Sequence, residues 1–282
     1  MRSVCSAIAV AVVLAWPMPL RAAPAGLDPV PNNAQTAVVS AYLHALHDAR
    51  YAAAFRLLNA NARAYYRDAE NFRSIFVADA YAITAWRLLG TRGGQTPGRV
   101  FFVRETARFR DHARDALLEV TATVPVGVVS EHDGWRIKDP GHPWRAFATN
   151  AAAQLNGVEV RVKKVSYFAR RIETVVTLTN HGSSFVTILA YGKSILHDAA
   201  GHPYRLIETR DWSLTDKVLF EGLRLPPDAR YTGTLAFASD PLDNAPRTFA
   251  LTLAPLLADG TDAPFEVDVD AIAPEPGAPV SR

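Results

Sequence analysis

Val175-Val176-Thr177-Leu178-Thr179-Asn180-His181-Gly182, then Leu196-His197-Asp198-Ala199-Ala200-Gly201-His202-Pro203-Tyr204, then Leu225-Pro226-Pro227-Asp228-Ala229-Arg230-Tyr231-Thr232-Gly233-Thr234-Leu235-Ala236-Phe237 are the stretches on which the fold turns. Each joins a run of β-branched or aromatic residues to a polar turn, the signature of a strand ending at a reversal. None holds a nucleophile paired with a base. Around them, Val158 to Val165, Thr174 to Thr179, Phe185 to Ala190, Tyr204 to Glu208, Tyr231 to Ala238, Thr248 to Leu253 and Phe265 to Val269 give seven strand candidates separated by turn residues. Short strands at such spacing predict a β-sandwich.

The preceding half of the chain has a different pattern. Asn33 is a good helix N-cap, and Val38, Val39, Tyr42, Leu43 and Leu46 recur after it at helical spacing. Further helices are predicted over 51–61, anchored by Phe55 and Leu58, and over 69–79. The segment from Thr91 to Gly98 is a loop by composition. Beyond it, Phe101, Val103, Glu105, Ala107 and Phe109 alternate with Arg104, Thr106, Arg108 and Arg110, and Leu118 to Val128 alternates likewise. Asp133-Gly134 predicts a tight hairpin into Trp135-Arg136-Ile137-Lys138. Helices on one face of an antiparallel sheet make an α+β domain.

The expected plan is therefore two domains, an α+β domain with helices on a curved antiparallel sheet followed by an all-β immunoglobulin-like sandwich. Residues 1–25 read as a signal peptide, 26–33 as an extended leader, 34–140 as the α+β domain, 141–156 as a linker, 157–273 as the sandwich and 274–282 as a disordered tail. The signal reading rests on Arg2, the apolar run Ala7 to Trp16 and the small residues Ala22, Ala23 and Ala25. That run is short of the roughly 20 residues a membrane-spanning helix needs, so no transmembrane segment is expected in the mature chain. Cys5 is the only cysteine and lies in the signal, so the mature protein must hold its fold without disulfides. Removing Arg2 and Arg21 from the 30 basic residues leaves 28 against 28 acidic ones, a balance that argues against nucleic acid as a partner. Abundant alanine and an excess of arginine over lysine point to a bacterial gene, and hence to a periplasmic or extracellular protein.

Two family resemblances add to this reading. Val38 to Leu46 followed by Ala52 to Leu58, with Val124 to Val129 and Gly134 to Lys138 as a closing hairpin, resembles the nuclear transport factor 2-like superfamily over residues 34 to 140. That resemblance implies a cone-shaped sheet around helices, with members that are isomerases, dehydratases or hydrolases and many that are non-catalytic modules. The three opening stretches resemble the telokin-like, immunoglobulin-like extracellular domains of bacteria, with Asp198, Gly201 and Tyr204 at the matching spacing. Where those domains have Pro-Gly, this chain has Pro227-Asp228.

Glu105 is the most pointed residue, because it shares an alternation face with Phe101 and Val103. A carboxyl in apolar surroundings has its charged form disfavoured and can serve as a general acid or base. The candidate pocket comprises Glu105, Phe101, Val103, His112, Glu119 and Trp135. The competing account of Glu105 is a sheet-edge carboxylate or one paired with arginine. Tyr65, Tyr66 and Trp86 are assigned to the core or a pocket mouth.

His44 and His47 beside Asp48, and His197 with Asp198 and His202, have loose metal-ligand spacing, but a solvated helix face and turn chemistry explain them without an ion. Asp259, Asp262, Asp268 and Asp270 fit no EF-hand loop. The line of Arg104, Arg108 and Arg110 offers an acidic partner or a lipid headgroup a surface, against which stands ordinary pairing with Glu119, Thr121 and Thr123 on the next strand.

No Gly-x-Ser-x-Gly elbow, phosphate loop, dinucleotide fingerprint or Cys-His pair occurs. No cofactor or metal is expected. The favoured function is an exported non-catalytic binding or accessory protein whose partner is a protein or small molecule of the envelope, oligomerisation remaining open. The alternative is an enzyme using Glu105.

Overall fold

In the computed structural model the described residues are 26–93, 98–112, 114–138, 141–190, 193–210, 222–239, 246–261 and 263–275. The expected signal peptide over 1–25 and most of the expected tail lie outside them. Four helices come first, α1 (Ala34–His47), α2 (Tyr51–Arg56), α3 (Ala60–Tyr66) and α4 (Ala69–Ala78). They lead into a sheet in the order β1 (Ala82–Gly93), β2 (Gly98–Asp111), β3 (Ala116–Glu131) and β4 (Gly134–Ile137).

Three of the four helices, α1, α3 and α4, begin where the sequence supplies a side-chain cap. The Asn33 side chain accepts from the amides of Gln35 and Thr36, that of Asn59 accepts from Ala62, and Asp68 accepts from Asn71. The single helix predicted over 51–61 is two, because Leu57 and Leu58 leave the helix to pair with β4. Ile137 donates to the Leu57 carbonyl at 2.9 Å, and Asn59 donates back to Ile137 at 2.8 Å. Leu58, Tyr66, Phe72, Phe101, Val103 and Ile137 fill the core of this unit. Phe72 meets Tyr66 and Phe76 edge-on, each with ring centroids 5.1 Å apart.

The predicted hairpin occurs one residue earlier than expected. Glu131 pairs with Gly134, so His132 and Asp133 form the turn, while Gly134 takes φ 123°. The strand β1 was not foreseen. Irregularities between Ile83 and Ala85, and between Leu88 and Gly90, break the two-residue alternation by which a strand is recognised.

The second set of strands is β5 (Arg145–Ala148), β6 (Ala152–Leu155), β7 (Val158–Tyr167), β8 (Arg171–Asn180), β9 (Val186–Ile188), β10 (Ile195–Asp198), β11 (Pro203–Arg210), β12 (Leu223–Leu225), β13 (Arg230–Ala238), β14 (Phe249–Ala258) and β15 (Phe265–Ile272). All seven predicted strands are present. The span expected to be a linker contains β5 and β6, both antiparallel to β7. Central strand β8 pairs with β7 and β13 and is buried along most of its length, which explains its continuous run of Val, Thr and Leu.

The fold class expected from the sequence is corrected on two counts. With 54% of the described residues in strands and four short helices among them, the chain is mostly antiparallel β rather than α+β followed by all-β. The later strands do not form the two separate sheets of a sandwich. They make one continuous eleven-stranded sheet in the order β12-β9-β14-β10-β11-β13-β8-β7-β5, with β15 on β14 and β6 on β7. The reason is β11, which pairs with β13 on one side and β10 on the other, so the ladder never breaks. The described residues do cluster into two compact units, but these are not successive along the chain. One holds the residues up to Phe76, Ala80–Asp111 and Leu117–Pro143; the other holds Val77–Asp79, His112–Ala116 and the chain from Trp144 onward.

Candidate functional site

Within the first unit, alternation along β2 sends Phe101, Val103, Glu105 and Ala107 to the buried side and Arg104, Arg108 and Arg110 to solvent. Glu105 is 7% exposed, and its carboxylate accepts a hydrogen bond from the Tyr81 hydroxyl. Burial raises the carboxyl pKa, partly opposed by that hydrogen bond. The Tyr81 hydroxyl is pushed upward by burial and then by the neighbouring Glu105 charge. The carboxyl is thus buried and held by a hydroxyl, not by an arginine and not at the sheet edge.

The other expected pocket residues do not all join Glu105. Phe101 and Val103 are fully buried beside it on β2. Glu119 is exposed on β3, and Trp135 is half-buried opposite Ser130. His112 belongs to the second unit, where its Nε2 lies 3.1 Å from Asp79 Oδ1.

There, the Asp79 carboxylate also accepts from Lys164 Nζ at 2.6 Å through both oxygens. Asp79, His112 and Lys164 are all buried. Burial works to raise the Asp79 pKa, but the Lys164 charge and then the His112 contacts outweigh it and hold the carboxyl below its usual value. Asp79 and Lys164 were missed in the sequence. One available signal is Lys163-Lys164 interrupting a valine alternation, at the irregularity between Val162 and Lys164.

The solvent face of β1 and β2 is cationic. Arg87 lies directly opposite Arg104, and Ala82 opposite Arg108. Arg87, Arg104, Arg108 and Arg110 are exposed, and among the described residues none has an ion-pair or hydrogen-bond partner. The expected pairing with β3 goes instead between hydroxyls, Thr106 to Thr121 at 2.8 Å. Arg87 is the member that sequence reading missed, because β1 itself was missed.

The three opening stretches meet as a scaffold. Buried Asn180 donates from its side chain to the carbonyls of Ser184 at 2.8 Å and Leu225 at 3.1 Å, and accepts from the Gly182 amide at 2.9 Å. Its backbone donates to Ala229 at 3.0 Å and accepts from Asp228 at 2.8 Å. Asp228 takes φ 56°, the conformation a glycine would supply in a Pro-Gly turn. Asp198 Oδ1 accepts from the amides of Ala200 and His202, each at 2.9 Å, and its Oδ2 accepts from the Tyr204 hydroxyl at 3.0 Å. That network accounts for the Asp-x-x-Gly-x-x-Tyr spacing without an ion.

The histidines of the first helix are placed apart in chemistry, His44 edge-on to Trp86 at 4.9 Å and His47 3.0 Å from Asp48. Among the described residues no group of three or more His, Cys, Asp or Glu side chains could hold a metal ion. No described helix is long and apolar enough to cross a membrane. No family model matches this chain, and no curated protein matches it.

Proposed function

We propose that this chain is an exported, non-catalytic binding or accessory protein of the bacterial cell envelope, and that it holds an anionic partner on the arginine face of β1 and β2. The observation that supports this reading is Arg87 opposite Arg104 with neither paired to a carboxylate among the described residues. Like charges directly across a ladder destabilise a sheet. A pair of that kind, extended by Arg108 and Arg110, has a use if an anion bridges it. Guanidinium groups suit the task because they present planar forks of donors to carboxylate and phosphate oxygens. The sequence of residues 1–25 supports the assignment to the envelope.

The test is a calorimetric titration of the mature protein with long-chain polyphosphate, alongside a variant with Arg87, Arg104, Arg108 and Arg110 replaced by glutamine. Binding by the wild type and its loss in the variant are expected. Equal binding by both would refute the placement.

A second reading, supported by the Tyr81 hydroxyl on buried Glu105, is an enzyme in which that carboxyl acts as general acid or base. A carboxyl whose pKa burial raises and which a hydroxyl aligns is chemically suited to acid or base work.

A further inference from the structure

We infer that the partner of the arginine face is the phosphate-bearing headgroup layer of an anionic lipid surface, an inference that rests on the binding reading above. A protein partner needs more than charge. Protein interfaces are built around a desolvated apolar and aromatic centre with charged groups depleted from it. On this face the residues beside the arginines are Ala82, Thr84, Ala85, Thr106 and Thr121, with Phe102 half-buried under the Arg92 guanidinium at 5.7 Å. Of the exposed large apolar side chains, Leu117 shares the β3 alternation face of Thr121 and Glu119, a single leucine rather than an aromatic centre, while Leu155, Phe185, Leu189 and Ile207 belong to the second unit. A headgroup layer requires no such anchor, because its attraction for basic groups is electrostatic and acts at the surface.

The array also suits many phosphates better than one. Arg87 and Arg104 are cross-strand neighbours, whereas Arg108 and Arg110 lie four and six residues further along β2. At about 3.3 Å per residue that stretch reaches roughly 20 Å, too long for a single phosphate to span. All four arginines stand on strands of one ladder, so their backbone positions are fixed before the row meets a flat anionic surface.

The mature protein is sedimented with phosphatidylcholine vesicles, with phosphatidylcholine–phosphatidylglycerol vesicles, and with the latter in the presence of inorganic phosphate; soluble polyglutamate is titrated in parallel. Expected are binding to the phosphatidylglycerol vesicles alone, weakening as salt rises, and a partition coefficient lower by about fivefold for each arginine replaced by glutamine. A variant with all four replaced by lysine should retain most of the binding and so separates charge loss from misfolding. Wild-type partition by the four-glutamine variant would overturn the inference. So would displacement by inorganic phosphate at a concentration that leaves ionic strength unchanged, which marks a single-anion site. Tight binding of polyglutamate without vesicle binding overturns the lipid assignment while upholding the anion-binding reading; binding of no anionic probe overturns both.

Discussion

Arg87 and Arg104 stand opposite one another across the β1–β2 ladder, both exposed and, among the described residues, neither paired with a carboxylate. A sheet that tolerates this arrangement gives up stability, and the cost is removable by a single substitution. Arg104→Glu places a carboxylate opposite Arg87 and is expected to stabilise the protein by a few tenths of a kcal/mol at low salt. The same change should weaken polyphosphate binding. Denaturant midpoints and titrations of one preparation check both halves, and a variant that lost stability along with binding would speak for a structural role.

Glu105 gives a pH signature. Its pKa is raised in the folded protein above the ordinary value of 4.5, chiefly by burial. A raised folded pKa means that the contribution to stability is complete below the unfolded value and is lost as pH rises through the folded one. Glu105→Gln keeps an acceptor for the Tyr81 hydroxyl and removes the titration. The variant should therefore match wild type near pH 4 and become progressively more stable than it towards pH 8. Thermal melts across that range decide the matter, with a variant weaker than wild type at pH 8 as the contrary result.

Asp79 behaves in the opposite sense. Its folded pKa is lowered below 3.8, so its contribution is present above the unfolded value and disappears as the pH falls through the folded one. Lys164→Met leaves a buried carboxylate with His112 as its remaining side-chain partner among the described residues and should cost about 3–5 kcal/mol at neutral pH. The double variant Asp79→Leu with Lys164→Met removes both charges and should recover most of that loss. Urea denaturation of the two variants measures the difference, which would be absent if the pair were solvent-screened.

The Asn180 network predicts a third stability effect. Asn180→Ala leaves the Ser184 and Leu225 carbonyls and the Gly182 amide without their side-chain partner, at a cost of about 1–3 kcal/mol. Asp228→Gly should be tolerated, since φ 56° suits glycine, whereas Asp228→Val should destabilise by about 1–2 kcal/mol. Equal stability of the glycine and valine variants would contradict the backbone argument.

Legibility in the sequence followed periodicity. Strand β8 and the buried face of β2 were readable because Val, Thr, Phe and Ala recur at strand spacing, and the cap at Asn33 was readable because Asn there has one dominant use. Strand β1 was hidden by its two irregularities, and with it went Arg87. The continuous sheet was not legible either, since it depends on β10 pairing with β11, a four-residue strand beside a turn whose residues signalled only the turn. Glu105 was placed on the buried face, but its partner Tyr81 is the residue just before the unrecognised strand β1. His112 was grouped with Glu105 as a side chain that a favourable strand register would bring to the same pocket. The structure instead puts it beside Asp79 and Lys164, a long-range association for which no local pattern exists.

The central claim is that the arginine face binds a polyanion, and its most direct test is the salt dependence of polyphosphate affinity for wild type and Arg104→Gln. If Arg104 neutralises one phosphate and releases its counterion, the slope of log K against log salt should become shallower by about one unit in the variant. An unchanged slope, with affinity equal to wild type, would show that Arg104 does not meet the anion and would contradict the account.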